Sequence, residues 1–195
     1  MKNNCHLVHG FNVRDGGAGT TDKLIPLVES LGLNPVQHDY GWLDFFGVLR
    51  KNKDIALEIK EQLVDHDDIG IGHSNGCPIL VKALLQGAKF SVLILINPAL
   101  DKNYEFPGDV KEIHVFHNDN DLAVVGAKWL RKIVFWRDDF LWGEMGNTGY
   151  QGGDSRVTNH AFANGHSDVF SSRMISDLFV KVSLIINKAK LHGKS

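Results

Sequence analysis

Short apolar runs alternate along the chain with stretches whose apolar residues recur every three or four positions. His6-Leu7-Val8-His9 reads as a strand that ends at Gly10, and 36–40 as a second short strand. Ile69-Gly70-Ile71, the run over 91–96 and the run over 113–116 predict three more, with a last short one over 157–162. The 91–96 run is almost uniformly apolar, as expected for a strand covered on both faces. Helical patterns lie between the strands. One spans 21–31, with Thr20 or Thr21 as N-cap and Gly32 just past its end. From Asp54 onward Ile55, Ile59 and Leu63 recur every four residues, the mark of a helix with one buried face. Further helices are predicted over 78–85, ending at Gly87, over 122–135, and over 170–190 at the end of the chain. Strands alternating with helices imply an α/β fold, a mostly parallel sheet with helices on both faces. Ligands on such sheets bind at the carboxyl ends of the strands, so the residues just past each strand are read first.

Composition narrows the picture. At 195 residues the chain is one domain's worth of protein, and 43% hydrophobic with 23% charged residues is ordinary for a globular domain. Lys plus Arg is 21 against 23 Asp plus Glu, a net charge of −2 with no basic stripe, so no nucleic-acid partner is expected. The longest wholly apolar run, 92–96, is far too short for a membrane span. No apolar stretch precedes Gly10, so no signal peptide is read there. Cys5 and Cys77 cannot make a disulfide framework and are expected as free buried thiols, which suits a cytoplasmic location.

The strongest local motif is Gly72-His73-Ser74-Asn75-Gly76, a G-x-S-x-G directly after the strand at 69–71 and directly before a helix. A tight strand-to-helix turn forces its central residue into a strained conformation, and only small residues two positions away let the backbone pack that closely. The turn lifts the Ser74 hydroxyl above the sheet edge at a helix N-terminus, which favours developing negative charge. The alternative is a serine N-cap between two glycines.

With His9-Gly10-Phe11 after the first strand, His117-Asn118-Asp119-Asn120-Asp121 after a late strand and Gly165-His166 near the end, the chain resembles the α/β-hydrolase family. The four motifs come in the family's order and span most of the chain. The resemblance implies an α/β-hydrolase fold in its minimal form, without a large cap domain. It also implies an oxyanion hole made by the backbone N–H groups of Phe11 and Asn75. His166 stands where the family's base does, and Phe170 completes a G-H-x-x-x-F pattern like the family's; His160 is the rival. For the acid, His117, Asp121 and Val124 match the family's His-Gly-x-x-Asp-x-x-Val spacing, with Asn118 in place of the glycine. Asp121 fits better than Asp119. The order Ser74, Asp121, His166 is the one this fold class uses.

Other features are weighed beside these. No H-E-x-x-H or C-x-x-C occurs, so no metal site is expected, and no cofactor is implied. Arg14-Asp15-Gly16-Gly17-Ala18-Gly19-Thr20 is a glycine-rich loop that could cradle a phosphate, but it lacks both the P-loop lysine and G-x-G-x-x-G spacing. Trp42, Phe45 and Phe46 follow the second strand and either pack under a loop or line an acyl or aryl pocket. The segment 136–153, with Trp142, Met145, Tyr150 and five glycines, has no clear period and is expected as a small lid or substrate-facing loop, with Trp142 facing substrate. The resulting expectation is a serine hydrolase that cleaves a small-molecule carboxylic ester or thioester through an acyl-enzyme. The other reading is a non-catalytic α/β-hydrolase-like or flavodoxin-like phosphate- or nucleotide-binding module.

Overall fold

The structure is a computed structural model that describes residues 2–42, 45–63, 67–108, 110–118, 142–162 and 166–192, with the backbone alone at 45, 46, 49 and 192. Within these residues the strands β1 (Asn4–Val8), β2 (Asn34–His38), β3 (Ile69–His73), β4 (Phe90–Ile96), β5 (Val110–His117) and β6 (Val157–Ala161) form one sheet. Its order is β2-β1-β3-β4-β5-β6, and every neighbouring pair is parallel. The sequence direction reverses between β1 and β3, so the crevice at their carboxyl ends is the natural ligand site.

The helices are α1 (Ile25–Ser30), α2 (Phe45–Glu61), α3 (Gly76–Leu85), the short α4 (Met145–Thr148) and α5 (Ile175–His192). Several boundaries differ from the sequence expectation for physical reasons. The predicted helix over 21–31 opens as a 3-10 turn, Thr21–Leu24, because Pro26 in the first turn of α1 has no N–H to donate. Neither predicted cap acts; the Thr20 hydroxyl donates instead to the Gly17 carbonyl at 3.3 Å. Gly32 does take the left-handed conformation after α1, at φ +73°. The closing helix is likewise split, with a 3-10 turn at Asp168–Phe170 before α5. The helix expected over 122–135 lies outside the described residues.

Alternation along each strand sends side chains to two separate cores. On one face Val8, Leu93, Leu95, Ile113 and Val115 pack under α2 and α3. On the other Leu7, Ile71, Val92, Ile94 and Phe116 pack under α1 and α5. A sheet buried on both sides explains why 91–96 reads as continuously apolar. The segment expected as a lid is bound into the first core over its described part. Trp142, Met145 and Tyr150 are buried there, and Met145 and Gly146 donate backbone bonds to Leu100 and Pro98 at 2.8 and 2.9 Å. Gly143 is required, since a Cβ there would stand 2.6 Å from the Asp101 backbone. At the outer edge, β2 carries Pro35, paired in register with Cys5.

Candidate active site

The site begins at the turn between β3 and α3. Ser74 sits there at φ +52°, a left-handed conformation that non-glycine residues rarely adopt. The surrounding packing imposes it. A Cβ on Gly76 would stand 2.1 Å from the Val8 carbonyl oxygen, and one on Gly72 would stand 2.9 Å from the Gly76 backbone. The start of α3 is thus pressed against β1 and its own incoming strand, and the only path between them runs through Ser74. Both glycines of G-x-S-x-G are accounted for by contacts rather than by their freedom to bend.

The strap after β1 passes against this turn. A Cβ on Gly10 would stand 3.0 Å from Ser74 Cβ, so the two segments touch. Phe11 follows on the strap and meets Trp142 edge-on, with ring centroids 5.5 Å apart. Among the described residues, the backbone N–H groups of Phe11 and Asn75 donate no hydrogen bond. Unpaired N–H groups are rare where backbone is buried, and Asn75 is fully buried. Such a pair beside a serine suits an oxygen that gains negative charge.

The Asn75 side chain does not cap α3. It lies in a buried polar bracket instead: its Oδ1 accepts from Asn52 Nδ2 at 2.9 Å and from Trp142 Nε1 at 2.8 Å, and its Nδ2 donates to Asn52 Oδ1 at 3.2 Å. Trp142 is only 4% exposed, so it sits beneath Phe11 as a support for Asn75 rather than on an open wall. Trp42 is on the rim at 49% exposure, its indole N–H donating to Asn12 Oδ1 and the Arg14 guanidinium 5.7 Å over its ring. Phe45 and Phe46 open α2, and their side chains lie outside the description.

His166 is brought to the same corner. Its backbone carbonyl is held from two sides, by Asn97 Nδ2 at 2.5 Å and His73 Nε2 at 3.3 Å. Its ring lies 4.9 Å from the His73 ring. Ser74 makes no side-chain hydrogen bond among the described residues, so serine and His166 are neighbours across His73 rather than bonded partners. His73 itself is no candidate base: burial, reinforced by the neighbouring His166, pushes its pKa down to about 3. His160 lies in the same register row as His73, three strands away, roughly 14 Å at the usual strand spacing. It bonds His114 at 3.0 Å and stacks on Phe116, which leaves it no part at the serine corner. Asp121 and its rival Asp119 lie outside the described residues.

Two features were not visible in the sequence. Asn97 follows β4 at φ +44° and clasps His166; a polar residue past a buried parallel strand was the available signal. The second is a pair of carboxylate–histidine–histidine chains. On one face His6 Nδ1 meets His38 Nε2 at 2.9 Å, and His6 Nε2 meets Asp68 at 3.5 Å. On the other, His114 stands between His160 and Glu112. Burial lowers the pKa of both members of the first pair, His38 to about 3.

The glycine-rich loop does not suit a phosphate. The Asp15 carboxylate already accepts from the N–H groups of Gly17 and Gly19, at 3.2 and 2.9 Å, and Asp22 and Asp39 close in on the same loop. Among the described residues no cluster of three or more His, Cys, Asp or Glu side chains is arranged to hold a metal ion, and no helix is long and apolar enough to cross a membrane.

No protein-family model matches the chain, and no curated protein matches it. Solved structures do. A proposed hydrolase of the alpha/beta superfamily from Xanthomonas campestris pv. campestris is 18% identical, with a TM-score of 0.58 over 96% of this chain and 99% of that one. Alpha/beta hydrolase domain-containing protein 10 from mouse is 14% identical, with a TM-score of 0.66 over 96% and 92%. An esterase from Pyrococcus furiosus is 11% identical, with a TM-score of 0.61 over 96% and 83%. The six parallel strands and these neighbours together make the chain α/β-hydrolase-like in fold.

Proposed function

We propose that the chain is a serine hydrolase that cleaves a carboxylic ester or thioester through an acyl-enzyme. The observation that carries this reading is Ser74 at φ +52° between two glycines that cannot bear a Cβ. A serine has no preference for that conformation, and strain of this kind concentrates where chemistry is done. In the proposed reaction Ser74 Oγ attacks the carbonyl carbon while its proton passes to His166. The N–H groups of Phe11 and Asn75 receive the negative oxygen, each worth about 3–4 kcal/mol in the transition state. The intermediate then collapses: the bond to the alcohol or thiol breaks, and that group takes the proton from His166. Water repeats the sequence on the acyl-serine and releases the acid. Asp121 orients His166 in this scheme. The neighbours described as hydrolases and esterases support the class of reaction.

Trp42, with Phe45 and Phe46, is proposed to line an acyl pocket for small to medium chains. Hydrolysis of p-nitrophenyl esters should then rise from acetate and level off at about hexanoate, each accommodated methylene adding up to roughly 0.8 kcal/mol. The decisive experiment is labelling with a fluorophosphonate probe. Ser74 should be the modified residue, and Ser74→Ala should lose both labelling and p-nitrophenyl acetate hydrolysis. Full labelling of the alanine variant would overturn the assignment. Asp121→Asn and His166→Ala should each lower kcat by several orders of magnitude, with Asp119→Asn and His160→Ala much milder.

A further inference from the structure

A trans peptide points its carbonyl and its N–H in opposite directions. Whatever holds the Gly10 carbonyl therefore aims the Phe11 N–H, and whatever holds the Ser74 carbonyl aims the Asn75 N–H. The two carbonyls are held by different means. The Ser74 carbonyl accepts from the backbone N–H groups of Cys77 and Ala99, at 3.2 and 3.3 Å. The Gly10 carbonyl accepts from side chains: His9 Nδ1 at 3.0 Å and, as the longer branch of a forked bond, the Tyr40 hydroxyl at 3.2 Å. Because a carbonyl can only accept, His9 carries its proton on Nδ1. The shorter branch of that fork goes to the His9 carbonyl, so the two carbonyls share the one Tyr40 proton. One hydroxyl thus gathers two successive carbonyls of the strap, which turns the peptide faces away from it together.

Burial raises the Tyr40 pKa, and the Asn75 side chain offsets part of that rise. Asn75 is in turn held by Asn52 and Trp142. The ring of Tyr40 stacks on His9 with centroids 4.0 Å apart, so its packing and its hydroxyl can be separated by substitution.

We propose that Tyr40 is a positioning residue for the oxyanion site: its hydroxyl fixes the Gly10–Phe11 peptide so that the Phe11 N–H faces the reacting carbonyl oxygen. The inference rests on the reading of Ser74 as the nucleophile. It makes one of the two oxyanion donors dependent on a side chain, and the other on backbone alone.

Tyr40→Phe keeps the stacked ring and removes the hydroxyl. Its kcat for p-nitrophenyl acetate should fall about 10- to 100-fold, a fraction of what loss of a whole donor costs, with KM within about twofold of the parent. Fluorophosphonate labelling of Ser74 should slow by a similar factor. Affinity for a trifluoromethyl ketone, which forms the tetrahedral adduct, should fall in step with kcat/KM, which a purely structural role would not produce. An unchanged kcat in folded Tyr40→Phe overturns the proposal. So does a loss of activity that only follows loss of folded protein in thermal melts, or a weakened KM with kcat intact. Absence of labelling in the parent protein removes the serine-hydrolase reading itself, which separates that failure from this one.

Discussion

Adjacent strands β3 and β4 are each followed directly by a non-glycine residue with positive φ, Ser74 at +52° and Asn97 at +44°. Their chemistry differs. Asparagine tolerates the left-handed region because its short amide bonds locally, and Asn97 uses that amide to clasp the His166 carbonyl. Serine has no such preference, and the Ser74 hydroxyl bonds to nothing among the described residues. At β4 the conformation suits the residue; at β3 the packing of Gly72 and Gly76 overrides it. Strain with no hydrogen bond in return is what sets Ser74 apart from Asn97.

The comparison breaks most completely at Gly76. Gly76→Ala places a methyl 2.1 Å from the Val8 carbonyl oxygen and 2.7 Å from that of His9, and the cost should exceed about 3 kcal/mol because both are backbone atoms. Urea melts should show little or no folded protein; a native-like midpoint would mean that the turn is not packing-enforced. Ser74→Gly comes next. It should abolish hydrolysis and raise stability by up to about 1 kcal/mol, through release of the strained φ. Asn97→Gly should give no such gain, and equal gains at both positions would show that Ser74 is no more strained than Asn97.

Acid sensitivity sharpens the comparison from beside Ser74. His73 is held neutral, with its pKa lowered by burial to about 3. An unfolded histidine takes up its proton near pH 6.5, so between that value and about 3 the unfolded chain binds the extra proton. Stability from this site is therefore whole above pH 6.5 and declines by about 1.4 kcal/mol per pH unit below it. His38 adds a similar slope in the same window. In His73→Gln the slope between pH 6 and pH 5 should lessen by about one proton's worth; identical slopes in parent and variant would contradict the assignment. The smallest effect is expected at Asn97. Asn97→Gly keeps the backbone but loses the clasp on His166, so kcat should fall about tenfold with stability nearly unchanged. Asn97→Ala should lose the same activity and about 1 kcal/mol besides. Equal stability of the two variants would show that φ there carries no strain.

Much of this was legible in the sequence. The alternation of runs gave the parallel α/β sheet, and the strand–G-x-S-x-G–helix order located Ser74 because backbone sterics leave few residues able to make that turn. The failures are instructive. The apolar period predicts helix α2 only from Asp54, although it starts at Phe45. Its buried face runs Val48, Asn52, Ile55, Ala56 and Ile59, and the polar Asn52 interrupts the apolar period. Asn52 is on that face because it bonds Asn75, so the residue that hid the helix is one that supports the site. The segment 136–153 reads as a lid or substrate-facing loop because it shows no clear period. Gly143 is there for a close backbone approach, and Trp142 for a buried hydrogen bond. Local pattern could not report either, since both depend on partners far away in the chain.

Pro35 has a consequence for how molecules of this protein meet one another. Asn34 donates its N–H inward to Asn3, and successive residues of a strand face alternate sides, so Pro35 and Gln37 face outward from the edge that is open among the described residues. Proline has no N–H, which leaves Gln37 as the single outward backbone donor along β2. A strand arriving from a second molecule would find acceptors but almost no donors to pair with, and could not form a continuous ladder. Crowded solutions of the folded protein should therefore resist edge-to-edge growth from β2.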